Sequence, residues 1–513
     1  MSTANRVIKN TGFLYAKMGI TMFISLYTTR LILNALGASD FGIYAVVGGA
    51  ISMLGFLHAA MSSATQRFMS FYEGKGIVSK QKQIFNVSLV LHFGIALFLG
   101  IVLLVAGYFF FNGILNIPPD RIYAAKVVYA SLIISTMFTV MSVPYEAVLN
   151  AHENMLYYSV VGVIESVLKL TVAFIIVYYM GDKLELYGML MACIPLLVLT
   201  IMRIYCHKTY KECVIAPKRY WDKSLLKEMT SFAGWNLVGI GSGMMGNYGN
   251  AIVVNHFFGT VVNAALGVAN QLNGQLMAFS NNMMKALNPV IVKKQGAGDE
   301  QTMIYFSLLG SKLSFLILAI FAIPVIIETP YILKLWLKEI PEWTVLFLRL
   351  ALIRRLLEQL TITLGTSLNA KGNIKGINIS SLVSNLLPLL VLYLLFLNGF
   401  PVYWLYIVTI FFMVGLGTGF KVYFNVKLCS LKISDLIKIV LIPCTFIFTV
   451  AMLSGFSTNL WLDEGFLRFV LSILFSSFMF MFAAYLVLDK KEKTIVEGLI
   501  QTVKGKVFKF RHK

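Results

Sequence analysis

Apolar runs of about twenty or more residues follow one another almost without pause along this chain, separated by short polar joints. A helix needs about 20 mostly apolar residues to cross the hydrocarbon of a bilayer. Transmembrane barrels are instead built from strands of roughly ten residues that alternate apolar and polar. The runs here are longer and apolar throughout, so the sequence predicts an all-α polytopic membrane protein. Spans are expected near 11–36, 41–66, 84–111, 122–149, 156–180, 186–206, 231–255, 263–288, 304–328, 344–369, 377–397, 403–424, 439–456 and 466–488, about fourteen in all. Composition agrees: 13% of the 513 residues are charged, whereas soluble domains need roughly 25%. The run after Asn10 extends to Leu36 and leads into another span, so it reads as a spanning helix and not as a cleaved signal.

Orientation follows from the joints, because Lys and Arg accumulate on the cytoplasmic side. With the amino terminus inside, the inner joints and tail hold 26 of the 43 Lys and Arg residues, whereas the outer joints hold only Arg121, Lys183, Lys334 and Lys338. Both termini are therefore expected in the cytoplasm, with the chain multi-pass in the cell inner membrane. The same bias accounts for most of the net charge of +20, and no nucleic-acid partner is expected.

The longest inner joint divides the spans into six and eight. The expected organisation is an amino-terminal six-helix bundle (1–206), a cytoplasmic basic linker (207–230), a second six-helix bundle (231–438), two extra transmembrane helices (439–488) and a basic cytoplasmic tail (489–513). The stretch Lys218–Lys227 reads as an amphipathic segment on the membrane surface, where anionic lipid attracts each basic residue by about 1 kcal/mol. A weak internal repeat supports the division. Asn34-Ala35-Leu36-Gly37 precedes the second span and Asn263-Ala264-Ala265-Leu266-Gly267 opens the eighth, at an offset of about 225 residues. Each span then ends at a glycine-bearing turn, Glu73-Gly74-Lys75-Gly76 and Gly296-Ala297-Gly298-Asp299. An even number of spans separates the two, so the halves are parallel repeats, an arrangement that builds transporters with a central site.

Ionisable residues inside spans are the functional candidates, since each costs roughly 2.5–3.5 kcal/mol at a helix centre. Arg203, Lys421, Lys126 and Arg468 lie near span ends and are expected to snorkel to the head groups. Arg30 sits well inside the first span. Lys169 follows Glu165 by one turn, so the two can neutralise each other. Arg354, Arg355 and Glu358 are grouped in the tenth span, where one carboxylate cannot balance two guanidinium groups. Arg30, Lys169, Lys285, Arg354 and Arg355 thus form a candidate cationic cavity for an anionic group; structural pairing is the competing reading for any one of them. Glu165 and Glu358 are the candidate ion-coupling carboxylates.

In the eighth span Asn270, Asn273, Asn281, Lys285 and Asn288 recur at spacings that put them on one helical face, widened by Gln271, Gln275 and Asn282. Unsatisfied amides are costly in hydrocarbon, so this polar stripe is expected to face other helices or a wet cavity. The seventh span carries Gly239, Gly241, Gly243, Gly246 and Gly249, which favour close helix packing or, alternatively, a gating hinge.

No catalytic constellation is visible. The six histidines are scattered without metal-ligand spacing, the five cysteines match no metal site or disulfide framework, and no P-loop is present. No outer joint exceeds about fifteen residues, which leaves no room for the catalytic loop of a membrane glycosyltransferase or polymerase.

Two stretches carry a resemblance. Phe41-Gly42-Ile43-Tyr44-Ala45-Val46-Val47-Gly48-Gly49 with Ala64-Thr65-Gln66-Arg67-Phe68, and Gly267-Val268-Ala269-Asn270-Gln271-Leu272-Asn273-Gly274 with Ala286-Leu287-Asn288-Pro289, resemble Wzx-type O-antigen and capsule flippases of the multidrug/oligosaccharidyl-lipid/polysaccharide (MOP) exporter superfamily. The resemblance implies two facing six-helix bundles, often with two additional helices. It implies a transporter, not an enzyme, that moves a sugar repeat unit on undecaprenyl diphosphate to the outer leaflet by alternating access. No cofactor is implied; coupling to a proton or sodium gradient is. Cavity cations would engage the diphosphate or acidic sugars, and Arg30 matches an arginine found late in the family's first helix. A polysaccharide polymerase and chain-length machinery are the candidate protein partners. A lipid II flippase and a multidrug exporter of the same superfamily are the alternatives.

Overall fold

The computed structural model of the protein describes residues 3–52, 55–114, 117–337 and 340–487; the expected tail 489–513 lies outside the described residues. In chain order the helices are α1 (Thr3–Ser52), α2 (Gly55–Lys75), α3 (Val78–Phe109), α4 (Ile122–Ala151), α5 (Met155–Tyr178), α6 (Lys183–Thr209), α7 (Pro217–Tyr220), α8 (Lys223–Gly296), α9 (Glu300–Ile327), α10 (Thr329–Trp336), α11 (Thr344–Gln359), α12 (Leu364–Lys371), α13 (Lys375–Leu397), α14 (Trp404–Thr409), α15 (Gly417–Cys429), α16 (Ile433–Leu436), α17 (Ile442–Ser457) and α18 (Phe466–Val487). There is no strand among the described residues. Helices satisfy every backbone group internally, which is what hydrocarbon demands of a spanning segment.

Among the described residues, eleven helical segments are long and apolar enough to cross a membrane, against the fourteen spans expected. The 74-residue α8 is one of the eleven but holds two expected spans, 231–255 and 263–288, on either side of a kink at Gly259. The expected span 344–369 is broken by a turn at Leu360–Thr363 between α11 and α12. The expected span 41–66 runs from α1 into α2 across residues outside those described. Large apolar side chains such as Phe23, Leu104 and Tyr108 stand exposed on the helices, as lipid contact requires.

The kinks reveal the register of the repeat. Gly37 in α1 has φ 79°, ψ 168°, and Gly259 in α8 has φ 80°, ψ −175°. Backbone in that region is accessible essentially to glycine alone. The interval from Gly37 to Gly259 also separates Gly76 (φ 69°) from Gly298 (φ 78°). Gly37 therefore corresponds to Gly259, and not to Gly267 as the letter match suggests. Conformation sets the register.

The chain divides into two compact units. The amino-terminal unit comprises Asn10–Gly241 with Val292–Asp299, and the carboxy-terminal unit comprises Met1–Lys9, Ser242–Ile291 and Glu300–Lys513. In the amino-terminal unit α4 packs extensively along α6, α3 and α2. The last turn of α8 belongs to this unit and crosses the end of α2 with backbones in contact. A Cβ on Gly74 would overlap the Lys293 carbonyl oxygen, and a Cβ on Gly296 would overlap the Phe71 carbonyl oxygen. Phe71 and Lys293 are separated by the same interval as Gly74 and Gly296, so the crossing is reciprocal under the repeat.

The segment after α6 does not lie loose on a surface. Glu212 and Cys213 are buried in the amino-terminal unit, and the Asn86 amide holds this connection at two points, donating to the Val214 carbonyl and accepting from the Ala216 amide, both at 2.8 Å. The expected amphipathic stretch Lys218–Lys227 is not one helix. It breaks at Trp221–Asp222, where the Asp222 carboxylate caps α8 by accepting from Leu225 N and pairs with Lys80 at 3.1 Å. In the carboxy-terminal unit α17 and α18 pack on α9. Arg468 does not snorkel: its Nε and Nη2 donate to both Glu328 oxygens, each at 3.1 Å, and Glu328 is fully buried.

Candidate functional site

A cavity lined by charged side chains lies within each unit. The larger, of about 200 Å³, lies in the carboxy-terminal unit between α8, α11, α13 and the continuous helix formed by α14 and α15. Helical spacing places Arg354, Arg355 and Glu358 on neighbouring faces of α11. Arg354 Nη1 is 3.4 Å from Glu358 Oε1, and Arg355 Nη1 is 2.7 Å from Glu358 Oε2. One carboxylate thus serves two guanidinium groups, one oxygen to each. Arg354 is buried, 6% exposed, and its Nη1 also points at Met413 Sδ, 2.9 Å away. Lys421 from α15 lines the same cavity within reach of the Glu358 charge. It is the charge that sequence reasoning assigned to the head groups, because its position near a span end says nothing about which way the helix faces.

Polar and small residues complete the walls: Ser380, Ser381, Ser384 and Asn385 from α13, Asn247 and Gly243 from α8, and Gly417 from α15. The glycines of α8 do two different things. A Cβ on Gly246 would come within 2.9 Å of the Asn385 carbonyl oxygen, and one on Gly249 within 2.6 Å of Leu389 Cδ1. These two let α8 and α13 approach closely. A Cβ on Gly243 would meet only Asn385 Nδ2, at 4.0 Å, so this glycine leaves cavity open.

The smaller cavity, of about 90 Å³, lies in the amino-terminal unit and is lined by Lys17, Thr139, Ser142, Glu146, Tyr158, Gly162 and Glu165 among others. Glu165 pairs with Lys169 at 2.6 Å, one turn along α5. Glu146 accepts from Ser142 Oγ at 3.1 Å. Lys17 reaches across from α1 and sets its ammonium 4.3 Å from the centre of the Tyr158 ring. It can do so because residue 162 has no side chain: a Cβ there would overlap Lys17 Cε and Nζ. Lys17 and Glu146 fall within the expected spans 11–36 and 122–149, but only their shared cavity singles them out.

The remaining candidates line neither cavity. Arg30 is exposed on α1 and makes no ion pair among the described residues. Lys285 is half-buried on α8. The amide stripe is divided in its surroundings. Asn270 and Asn281 are exposed, Asn273 is buried with its Oδ1 lacking a partner, and Asn288 accepts from Thr366 Oγ1 at 3.0 Å.

A third charged cluster closes one end of the amino-terminal unit. His152, in the turn between α4 and α5, lies between Glu73 Oε1 at 3.2 Å and Glu212 Oε1 at 2.5 Å, and stacks on Tyr210 at 4.2 Å. Lys293 pairs with Glu153 at 3.1 Å and lies 3.8 Å from Glu73. Burial alone would lower the His152 pKa, but the hydrogen bonds and charges of Glu212 and Glu73 outweigh it and raise the imidazole to about 9. Burial would likewise raise Glu73, yet His152, Gln81 and Lys293 hold its carboxyl at about 2. Glu73 and His152 are therefore both charged at neutral pH, and the cluster ties together the ends of α2, α4 and α8 and the segment after α6.

No family model matches the sequence, and no curated protein matches it. Solved structures do match. A MATE transporter in its bent conformation aligns with a TM-score of 0.73 and 14% identity, over 84% of this chain and 96% of its own. A Vibrio cholerae MATE transporter aligns at 0.69 and 16% identity, over 84% and 98%. A MOP superfamily transporter from Pyrococcus furiosus, described as having a binding pocket of reverse polarity that suggests a different function, aligns at 0.69 and 12% identity, over 84% and 96%. At such identities the likeness is one of fold, and the chain has the fold of the MATE transporters of the MOP superfamily.

Proposed function

We propose that this protein is a flippase that carries undecaprenyl-diphosphate-linked oligosaccharide across the cytoplasmic membrane by alternating access, for surface polysaccharide synthesis. The observation that carries the reading is the polarity of the larger cavity, where Arg354, Arg355 and Lys421 face the single carboxylate of Glu358. An interior of that sign favours an anionic cargo, whose sugar hydroxyls the serines and amides can also bind. An exporter of cationic drugs needs the opposite sign. In the Pyrococcus furiosus transporter reversed pocket polarity is taken to suggest a different function, and the same logic applies here. Both termini would lie in the cytoplasm. A proton or sodium gradient would drive the cycle, with Glu165 the freer of the two nominated carboxylates because both Glu358 oxygens are held by arginines.

The test replaces Arg30, and separately the Arg354/Arg355 pair, by Ala and measures surface polysaccharide at normal protein level. Loss in either supports a cationic path for the cargo, and full polysaccharide in both refutes it. Complementation of a strain depleted of its lipid II flippase separates that alternative, and drug resistance on overexpression separates the multidrug exporter.

A further inference from the structure

We infer that the larger cavity holds a small inorganic anion of its own, bound by Lys421, Arg354, Arg355 and Ser384. The inference shares residues with the proposed function but does not rest on its cargo: a chain carrying something else would still need this charge balanced.

Three observations converge on it. The first is charge. Three cations and one carboxylate leave a net charge of +2 around a cavity of about 200 Å³. Low-dielectric surroundings make uncompensated like charges unfavourable, and Arg354 is itself buried.

The second is unspent hydrogen-bonding capacity. The Nε atoms of both Arg354 and Arg355 are buried without a partner, and so is Ser384 Oγ. The Lys421 ammonium has no hydrogen bond or ion pair among the described residues. Buried polar groups are almost always satisfied, and those that are not point to a water or an ion. All of these residues line the one cavity, and apart from the hydroxyl they offer only donors, the signature of an anion site.

The third is size. Small-molecule pockets run from about 300 to 1,000 Å³, so in this conformation the cavity, of about 200 Å³, does not admit a sugar-bearing diphosphate, which would need the wider opening of another state of the transport cycle. It suits a halide or an oxyanion with a few waters. Arginine forks match oxyanions in geometry, while lysine supplies a point charge.

The decisive experiment follows the thermal unfolding midpoint of the purified full-length protein in detergent, titrated with sodium chloride or sodium phosphate at ionic strength held constant with sodium gluconate. A ligand that binds only the folded state raises the midpoint. The expected result is a saturable rise with chloride or phosphate. Lys421→Met should weaken the apparent affinity about tenfold or more, and Ser384→Ala, which leaves every charge in place, should weaken it less. A parallel titration with a short-chain prenyl diphosphate distinguishes the source of the anion. A rise with the prenyl diphosphate alone would assign the site to the cargo and overturn this inference. So would the absence of any anion effect, or an unchanged effect in both folded variants. Polysaccharide in the Arg30 variant, which removes no residue of this cavity, bears on the cargo reading and leaves the anion titration to be judged separately.

Discussion

The reciprocal crossing of α2 and α8 makes a quantitative demand on two glycines. In a helix, Gly→Ala ordinarily stabilises by up to about 1 kcal/mol through propensity. At Gly74 the new methyl would overlap the Lys293 carbonyl oxygen and lie 2.8 Å from the Lys293 carbonyl carbon and Cα. At Gly296 it would overlap the Phe71 carbonyl oxygen and lie 2.9 Å from the carbonyl carbon. Ordinary van der Waals contact is 3.4–4 Å. The obstacle in both cases is helix backbone, so no side-chain rotation relieves it and the two helices must part. Overpacking of this kind costs about 1–3 kcal/mol. Separation also pulls Lys293 from Glu153, whose side chain is only 5% exposed. Each single Ala should therefore destabilise by at least about 1–3 kcal/mol. The double variant should fall short of the sum, because both methyls force apart the same contact. Gly267→Ala is the control: a Cβ there meets nothing within 4 Å. The assay is equilibrium or thermal unfolding in detergent. If Gly74→Ala and Gly296→Ala behave like Gly267→Ala, the close crossing does not exist in the folded protein.

Two further outcomes follow from the charged clusters. His152 has its pKa raised from 6.5 to about 9, which corresponds to roughly 3 kcal/mol of proton binding linked to folding. Because the shift is upward, that stability is complete below about pH 6.5 and is lost as pH rises through 9. The unfolding midpoint should fall between pH 7 and 10 in the wild type and stay flatter in His152→Gln; parallel curves would count against the cluster. In the carboxy-terminal unit, Arg468→Ala strands the buried Glu328 carboxylate and should cost about 3–5 kcal/mol. Glu328→Gln with Arg468→Met should cost less than Arg468→Ala alone, and a greater loss in the double variant would show that the pair does not act as a pair.

Much of this architecture was legible in one dimension. The bilayer imposes length, apolarity and internal hydrogen bonding on each spanning segment separately. The helices at α3, α4, α5, α6 and α9 therefore follow from their own residues. Contacts within one turn were equally readable, since helical spacing alone brings Glu165 to Lys169 and Arg354 and Arg355 to Glu358. Tertiary structure decided everything that depends on which helix lies beside which. It placed Lys421 and Ser384 on the wall of the arginine cavity, passed Lys17 through the gap at Gly162, and set Arg468 against Glu328. It also matched Gly37 with Gly259 by backbone conformation where the letters suggested Gly267. Spacing along one helix determines which of its residues share a face, but carries no information about what that face meets.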